Sequence, residues 1–165
     1  MKLVKCAFKM TIVLYIFVFL MLLASCSSDS FTETEAMSQL KRDLCDSKCI
    51  SSVEYEIEGT QHSSWCKFTV IVSVINDGTN TKDELVELYF DKMFSVDGLV
   101  DDFKHIGATD FGVRIIDDST DDIIIGLTCD IDNSYSNMNI WTTNDNREVC
   151  YDLDQSCVVF EEIEE

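Results

Sequence analysis

The sequence predicts an α+β domain in which an antiparallel sheet of about five to six strands carries two helices on one face. Two segments begin with a Ser/Thr-x-x-Glu pattern and continue with apolar residues at helical spacing, whereas the last third of the chain contains only short β-rich runs. The elements therefore follow in the order α-β-β-α-β-β-β, with a further strand possible at the end. Runs of adjacent strands with few helices favour antiparallel pairing.

The first helix is expected to run from about Phe31 to Lys48. The motif Thr32-Glu33-Thr34-Glu35 has the form of a capping box, in which the first side chain and the last one satisfy backbone N–H groups at the helix start. One face of the helix then carries Met37, Leu40 and Leu44.

Two strands are expected next. Residues Val53–Glu58 alternate between apolar and acidic side chains, which is the period of a strand with one buried face. Residues Phe68–Ile75 form a nearly continuous β-branched run, which is typical of an interior strand covered on both faces. The turn sequence Asn76-Asp77-Gly78 ends this run.

A second capping box, Thr81-Lys82-Asp83-Glu84, opens the second predicted helix. Gly98 is a candidate interruption of this helix, and Gly107 is expected to end it. The apolar stripe along the helix consists of Leu85, Tyr89, Met93, Val96, Val100 and Phe103.

The remaining residues are expected to form sheet. The runs Phe111–Ile116 and Ile123–Cys129 are joined by the acidic segment Asp117-Asp118-Ser119-Thr120-Asp121-Asp122. Residues Met138–Thr142 and Val149–Phe160 supply two or three more strands. Residues 31–165 are therefore predicted to form a single acidic α+β domain.

The N-terminus has the order of a secretory signal peptide. The first nine residues contain three lysines and no acid, and thirteen uninterrupted apolar residues follow from Ile12 to Ala24. A membrane-spanning helix needs about 20 such residues, so this run is short for a permanent span. The segment is expected to direct export.

The residues at the end of this run, Leu23-Ala24-Ser25-Cys26, resemble the lipobox of bacterial lipoproteins. The resemblance covers residues 1–26 only. It implies that residues 1–25 are removed, that Cys26 carries a diacylglyceryl group and becomes the first residue, and that residues 26–30 tether the domain to the bilayer. The implied location is the extracytoplasmic side of the cell membrane or outer membrane. The alternatives are an ordinary secreted protein cleaved between Ala24 and Ser28, or an uncleaved anchor.

The net charge restricts the class of partner. The whole chain carries −19, and loss of the three signal lysines leaves nine basic against 31 acidic residues, a net charge of −22. Such an excess argues against nucleic acid, whose phosphates would be repelled. No glycine-rich phosphate-binding motif is present, so no nucleotide and no cofactor is expected. Three explanations of the acidic excess stay open. The charge keeps the protein soluble, it attracts a cationic protein partner, or it attracts Ca²⁺.

Export changes the interpretation of the cysteines, because disulfides form outside the cytosol. Six cysteines remain in the mature domain, which allow up to three disulfides and fifteen pairings. We expect Cys150 to pair with Cys157 across a hairpin, because a four-residue loop separates the two predicted strands. A Cys/His zinc site is a weaker alternative, since neither His62 nor His105 has a second histidine at ligand spacing. The six candidates for disulfide formation are Cys45, Cys49, Cys66, Cys129, Cys150 and Cys157. Cys45 and Cys49 lie one helical turn apart, where a disulfide between them would be strained. We therefore expect each of them to form a disulfide with another cysteine, such as Cys66 or Cys129.

Candidate metal ligands occur in the acidic turn, but their spacing matches no calcium motif. The weak candidates are Asp117, Asp118, Asp121 and Asp122. A second segment, Asp130–Ser134, begins like a calcium loop but has Tyr135 and Trp141 at the positions of the required glycine and glutamate. These segments are interpreted as solvated turns, so no specific metal site is predicted.

No residue pattern predicts a catalytic site. No nucleophile motif is present, and nothing in the sequence selects one pair among the many carboxylates. The favoured function is a membrane-anchored binding or interaction module. The alternatives are a small surface hydrolase that uses paired carboxylates, and a calcium-dependent structural module.

Overall fold

The computed structural model describes residues 31–59, 61, 65–130 and 140–163. The predicted signal peptide, Cys26 and its tether lie outside these residues, as do His62 and most of the second candidate calcium segment. Residues Thr32–Glu165 form one compact unit. No helix in the described part of the chain has the length and apolar character needed to cross a bilayer.

The described elements are three helices and seven strands. In chain order they are α1 (Glu35–Cys45), β1 (Ile50–Gly59), β2 (Cys66–Val74), α2 (Lys82–Ser95), α3 (Leu99–Ile106), β3 (Asp110–Asp117), β4 (Ile123–Asp130), β5 (Ile140–Thr143), β6 (Arg147–Asp152) and β7 (Cys157–Glu162). The α+β class is therefore confirmed. The sheet has seven described strands, more than the expected five to six, and the hairpin predicted around Cys150 and Cys157 is present as β6 and β7.

The sheet is mixed, so the prediction of a purely antiparallel sheet is wrong. Its strands lie in sequence order from β1 to β7. Every neighbouring pair is antiparallel except β2 and β3, which are parallel in a register that places Thr69 beside Gly112. Parallel neighbours require a crossover of about a dozen residues or more. Here α2 and α3 form that crossover and return the chain to the end of the sheet where β2 began.

The first helix is shorter than predicted and is capped by Thr34 instead of Thr32. Thr34 Oγ1 accepts a hydrogen bond from the backbone N of Met37 at 3.2 Å and donates one to Asp102 Oδ2 at 2.5 Å. The cap therefore also links α1 to α3. In the sequence each of the two threonines is followed directly by a glutamate, so the local pattern alone does not show which threonine caps the helix.

The predicted second helix is divided, so three described helices replace the expected two. The division lies at Gly98, whose φ of 77° is in the left-handed region that favours glycine. At the start of α2 the predicted capping box is confirmed, because Thr81 N donates to Glu84 Oε2 at 2.7 Å and Glu84 N donates to Thr81 Oγ1 at 3.2 Å. Gly107 ends α3, as expected.

The helices cover one face of the sheet, where aromatic rings form the centre of the core. Phe68 of β2 lies 5.0 Å from Phe111 of β3 and 5.4 Å from Phe103 of α3, measured between ring centroids. Further along the same face, Phe90 of α2 lies 5.4 Å from Trp141 of β5. Burial of each large apolar side chain contributes about 1.5–3 kcal/mol.

Candidate binding furrow on the open face of the sheet

The face of the sheet away from the helices carries polar and charged side chains. Along β2, Phe68 and Val70 point to the helices, whereas Lys67 and Thr69 alternate with them and belong to the other side. No helix in the described ranges lies against this side. We call it the open face, and its central residues are Lys67, Thr69, Arg114 and Thr128.

The centre of the open face contains a cavity of about 180 Å³, which we call the furrow. It crosses β2, β3 and β4 and reaches the end of β5. The residues that supply its polar groups and its floor are Lys67, Thr69, Gly112, Arg114, Gly126, Thr128 and Asn144.

Two glycines form the floor of the furrow. They have no side chains, and the register places them next to residues that do. Gly112 lies between Thr69 and Thr128, and Gly126 lies opposite Arg114. A Cβ atom at Gly112 would stand 3.5 Å from Thr69 Oγ1 and 3.7 Å from Lys67 Cε, both ordinary van der Waals distances. Packing therefore does not require glycine here, and the missing side chain leaves space above the backbone.

One wall of the furrow is formed by Asn144, directly after β5. Its backbone N donates to the carbonyl oxygen of Gly126 at 2.9 Å, and its Oδ1 accepts from the backbone N of Gly126 at 3.1 Å. This double contact fixes the side chain beside β4. The other polar group of this side chain, Nδ2, is a hydrogen-bond donor.

Two cations line the furrow in a strongly acidic protein. Arg114 reaches toward β1, where its Nη1 lies 3.5 Å from Glu56 Oε2 and its Nη2 lies 3.9 Å from Glu58 Oε1. These distances exceed those of good charge-assisted hydrogen bonds, which are about 2.7–2.9 Å. Exposed pairs of this kind contribute about 0–1 kcal/mol. The guanidinium is therefore held only weakly by the glutamates.

Thr69 is the most unusual residue of the furrow. It is 1% exposed, and its Oγ1 has no hydrogen-bond partner among the described residues. Leaving such a hydroxyl buried and unsatisfied costs about 1–3 kcal/mol. A threonine hydroxyl can donate one hydrogen bond and accept two, and no described group uses this capacity at Thr69.

The furrow thus places two cations and a buried hydroxyl around a small space, and Glu56 and Glu58 of β1 stand beside them on the same face. No protein-family model, no curated protein and no solved structure matches this chain. The chemistry of the furrow is accordingly derived from its own geometry. Its described lining includes lysine and arginine but no histidine or cysteine, and the carboxylates of Glu56 and Glu58 border it at 3.5 Å and 3.9 Å from the Arg114 guanidinium.

The four candidate metal ligands lie at the hairpin turn between β3 and β4. Asp117 Oδ1 accepts from Ser119 N at 2.8 Å and from Ser119 Oγ at 2.6 Å, so it stabilises the turn backbone. Asp118 Oδ1 accepts from Ser51 Oγ at 2.8 Å, and Asp121 adopts a φ of 60°. No cluster of three or more potential metal ligands occurs in the described part of the chain. The geometry favours the interpretation of these residues, including Asp122, as a solvated turn.

We predict a pH-dependent contribution of Asp117 to stability. Hydrogen bonds from the Ser119 side chain, the Ser119 backbone and the Asn76 side chain hold the pKa of Asp117 below its ordinary value of 3.8. A depressed native pKa stabilises the fold above the unfolded-state pKa, and this contribution is lost as the pH falls through the native value. Asp117→Asn should therefore lower stability near neutral pH, and its difference from the wild type should vanish in acid.

Urea unfolding over a pH series measures this difference. Asp121→Asn is the matched control, since it removes the same charge from the same turn and shares any effect of reduced overall repulsion. A deficit of Asp117→Asn that stays constant down to strong acid, or one that Asp121→Asn reproduces, would contradict the assignment.

The fold separates cysteines that the sequence suggested could be paired. Cys49 lies at one end of the β1–β2 hairpin, where its carbonyl accepts from Ile75 N at 2.8 Å, whereas Cys66 lies opposite Gly59 at the other end. Nine residues of strand span about 30 Å. Disulfide bonding requires Cα atoms within about 7 Å. Cys49 therefore does not pair with Cys66 in this fold.

The same argument applies to the other two suggested partners. Cys45 is four residues from Cys49 and so remains within about 14 Å of it. Cys129 lies opposite Phe111, which is next to Phe68 near the Cys66 end of β2. Pairing of Cys45 or Cys49 with Cys66 or Cys129 does not fit this register.

The predicted pair Cys150 and Cys157 occupies the β6–β7 hairpin, but not directly opposed positions. Cys150 lies opposite Val159 and Cys157 lies opposite Asp152, so the two cysteines are diagonal neighbours on one face. Diagonal Cα atoms are about 7–8 Å apart, at the upper limit for a disulfide. The bond stays a prediction that needs a small adjustment of the backbone. Both cysteines are partly exposed.

Sequence reasoning missed the furrow residues. Gly112 and Gly126 stand inside runs that the sequence predicts as ordinary strands, although an isolated glycine in a strand signals a close approach or an open space. Thr69 lies within an otherwise apolar run. The available signal was the combination of two strand glycines with polar residues at alternate positions.

Proposed function

We propose that this chain is a lipid-anchored extracytoplasmic binding module that presents the open face of its sheet to a partner. The lipobox-like residues that end in Cys26 support the anchor, with the lipid bilayer of the cell membrane or outer membrane as the first partner. The observation that carries the binding role is the furrow, an open cavity on an uncovered sheet face where charged side chains of both signs, Lys67, Arg114, Glu56 and Glu58, lie close together.

The tether keeps the module close to the lipid surface. Ser27–Ser30 are four residues and span at most about 14 Å. One acyl chain binds a membrane only marginally, whereas two or more anchor it stably. A diacylglyceryl group on Cys26 is therefore sufficient to hold a domain with a net charge of −22 at a bilayer.

The acidic surface favours a cationic protein partner and disfavours nucleic acid and nucleotides. Part of this surface is a groove between α1 and the turn that connects α2 to α3. The groove is lined by four carboxylates, those of Glu35, Asp43, Asp97 and Asp102. Such a groove increases the rate of encounter with a basic partner, while the open face provides specific contacts.

Co-purification from detergent-solubilised membranes tests this function. A cationic partner should be recovered with the anchored protein at low salt and lost at high salt, because salt screens exposed charges. Thr128→Tyr should prevent recovery, since Thr128 is exposed on the open face and a ring there covers the furrow. Thr79→Tyr, in the exposed loop before α2, is the matched control and should retain the partner.

Two outcomes would contradict the proposal. Recovery of no partner at either salt concentration would argue against a binding module. Equal loss of the partner in Thr128→Tyr and Thr79→Tyr would remove the open face from the interaction.

The two alternative functions are less well supported by the described residues. A hydrolase that uses paired carboxylates needs a pocket with aromatic walls, and the acidic groove has no aromatic lining residue. A calcium-dependent module would show a higher thermal midpoint with Ca²⁺ than with EDTA. We expect the two midpoints to coincide.

A further inference from the structure

We propose that the end of the sheet at Trp65 contacts the lipid bilayer, with the indole ring of Trp65 inserted at the boundary between headgroups and acyl chains. The inference rests on the proposed lipid anchor at Cys26, and it adds the residue through which the folded domain itself binds the membrane. The partner is a bilayer whose surface carries no net charge.

Trp65 lies at one end of the sheet, directly before β2. Gly59, the last residue of β1, is paired with Cys66, the first residue of β2. A Cβ atom on Gly59 would stand 2.6 Å from Trp65 Cε3, so the indole lies against the backbone of Gly59. Trp65 is nevertheless 54% exposed. The ring is therefore held at the end of the sheet while much of the residue stays accessible.

The chain that leads from the anchor enters the domain near this end. Helix α1 runs back along β1, because a short turn joins the end of the helix to the start of the strand and Tyr55 Oη donates to the carbonyl oxygen of Met37 at 2.7 Å. Met37 belongs to the first turn of α1, and Tyr55 lies in the second half of β1. The start of α1 is therefore directed toward the Gly59 end of β1.

A contact with α3 supports the same placement. Thr34, the cap of α1, donates from Oγ1 to Asp102 Oδ2 of α3 at 2.5 Å. The segment that follows α3 returns to β2, where Thr109 N donates to the carbonyl oxygen of Cys66 at 2.7 Å. The cap of α1 and the end of α3 thus both lie near the sheet end that carries Trp65.

The length of the tether favours this end over the opposite one. Thr32 follows Cys26 by six residues, which span at most about 21 Å. Ile75, at the opposite end of the β1–β2 hairpin, lies about 20 Å from Tyr55 along the strands. Contact through the Ile75 end would need an almost fully extended tether. Contact through the Trp65 end would not.

Tryptophan is suited to this contact because its ring is apolar and its indole N–H is a hydrogen-bond donor. The residue is enriched at membrane–water interfaces for this reason. One ring binds a membrane weakly by itself, but an anchored domain is already at the bilayer, so insertion is an intramolecular step with a high effective concentration. The ring therefore sets which end of the anchored domain faces the lipid.

The charges near Trp65 determine the kind of bilayer. In the strand register Lys67 lies between Glu58 of β1 and Asp110 of β3, so two acids flank one base at this end. Anionic headgroups would repel these acids within a Debye length, about 8–10 Å at moderate salt. We therefore expect the contact to be strongest on a surface without net charge.

Fluorescence of the lipidated chain in phosphatidylcholine vesicles tests the contact, because the two tryptophans differ in exposure. Trp65 is 54% exposed, whereas Trp141 is 1% exposed and lies in the core. Flotation of the protein with the vesicles first shows that the anchor is present. Lipids brominated on their acyl chains quench a ring that touches them, so we expect them to quench Trp65 and to leave Trp141 unchanged. Trp65→Phe should remove the quenched emission and keep the rest.

A reporter at the opposite end of the sheet is the matched control. Ile75 is 51% exposed, nearly as much as Trp65. Ile75→Trp in the Trp65→Phe background places an accessible ring there, and we expect no quenching of it by brominated lipid. Equal quenching of the two reporters would show that the domain has no preferred end at the bilayer and would overturn the proposal.

The outcomes separate this contact from the anchor itself. Floating protein whose Trp65 is quenched by aqueous iodide, and not by brominated lipid, would overturn the contact and retain the anchor. Protein that does not float would reject the anchor together with the contact that depends on it.

Lipid charge gives an independent test. Addition of phosphatidylglycerol at low salt, with a constant fraction of brominated lipid, should weaken the quenching of Trp65. Stronger quenching would show attraction by positive charge and would overturn the assignment of the contact to an uncharged ring at an acidic end of the sheet.

Discussion

Truncation of Phe68 to alanine is expected to lower the free energy of unfolding by about 3–5 kcal/mol. The side chain is completely buried, and its ring lies 5.7 Å from Tyr55, 5.4 Å from Phe103 and 5.0 Å from Phe111. It therefore joins β1, β3 and α3 to the centre of β2. Its removal opens a cavity between elements that are held apart by the rest of the sheet, so the site cannot collapse to fill it.

Urea unfolding measures this loss, provided that the dependence on denaturant stays unchanged. Ile123→Ala is the control, because Ile123 is 54% exposed and surface truncations change stability by about 0.5 kcal/mol or less. A loss for Phe68→Ala as small as that of Ile123→Ala would contradict the placement of Phe68 in the core.

Gly59→Ala is expected to destabilise the protein by about 3 kcal/mol, through backbone strain and steric overlap together. Gly59 has a φ of 91°, and a Cβ atom there would lie 2.6 Å from the backbone oxygen of Trp65 and 2.6 Å from its Cε3 atom. The backbone oxygen cannot move without disturbing the pair Gly59–Cys66, which closes the β1–β2 hairpin.

Gly78→Ala isolates the backbone part of this effect. Gly78 has a similar φ of 76°, but nothing lies within 4 Å of the position that a Cβ atom would take there. It should therefore cost only the strain of the left-handed conformation, about 1–2 kcal/mol. Equal losses in the two variants would show that the contact with Trp65 is absent in solution.

The elements that depend on local chemistry were predictable from the sequence. The capping box at Thr81 and Glu84 needs only four consecutive residues, and both of its hydrogen bonds form. The alternation along Val53–Glu58 likewise indicates a strand, since its period is independent of the neighbouring strands. The acidic segment between β3 and β4 was correctly expected to be a turn.

The direction of strand pairing could not be predicted in this way. The apolar run of β2 looks the same whether its neighbour is parallel or antiparallel. What decides the direction is the path through α2 and α3, which depends on the division of the helical stripe at Gly98. The sequence identified Gly98 as a candidate interruption but not the geometry of the crossover.

The furrow depends on long-range register and was therefore missed. Thr69 and Gly112 are far apart in sequence, and only the parallel register of β2 and β3 places them side by side. Asn144 reaches Gly126 through a further hairpin. Each residue has an ordinary local explanation, and their combined chemistry appears only when the strand pairs are known. The disulfide hypotheses for Cys45 and Cys49 failed for the same reason, since spacing alone does not show which end of the sheet a residue occupies.

The central claim is that acyl chains on the sulfur of Cys26 hold an acidic binding domain at the bilayer. Intact mass spectrometry of the protein extracted from membranes, with and without reduction, tests this claim most directly. We predict a polypeptide that begins at Cys26 and carries a diacylglyceryl group, and the effect of reduction will count the disulfides among the remaining cysteines. A chain that begins elsewhere, or an unmodified Cys26, would contradict the account.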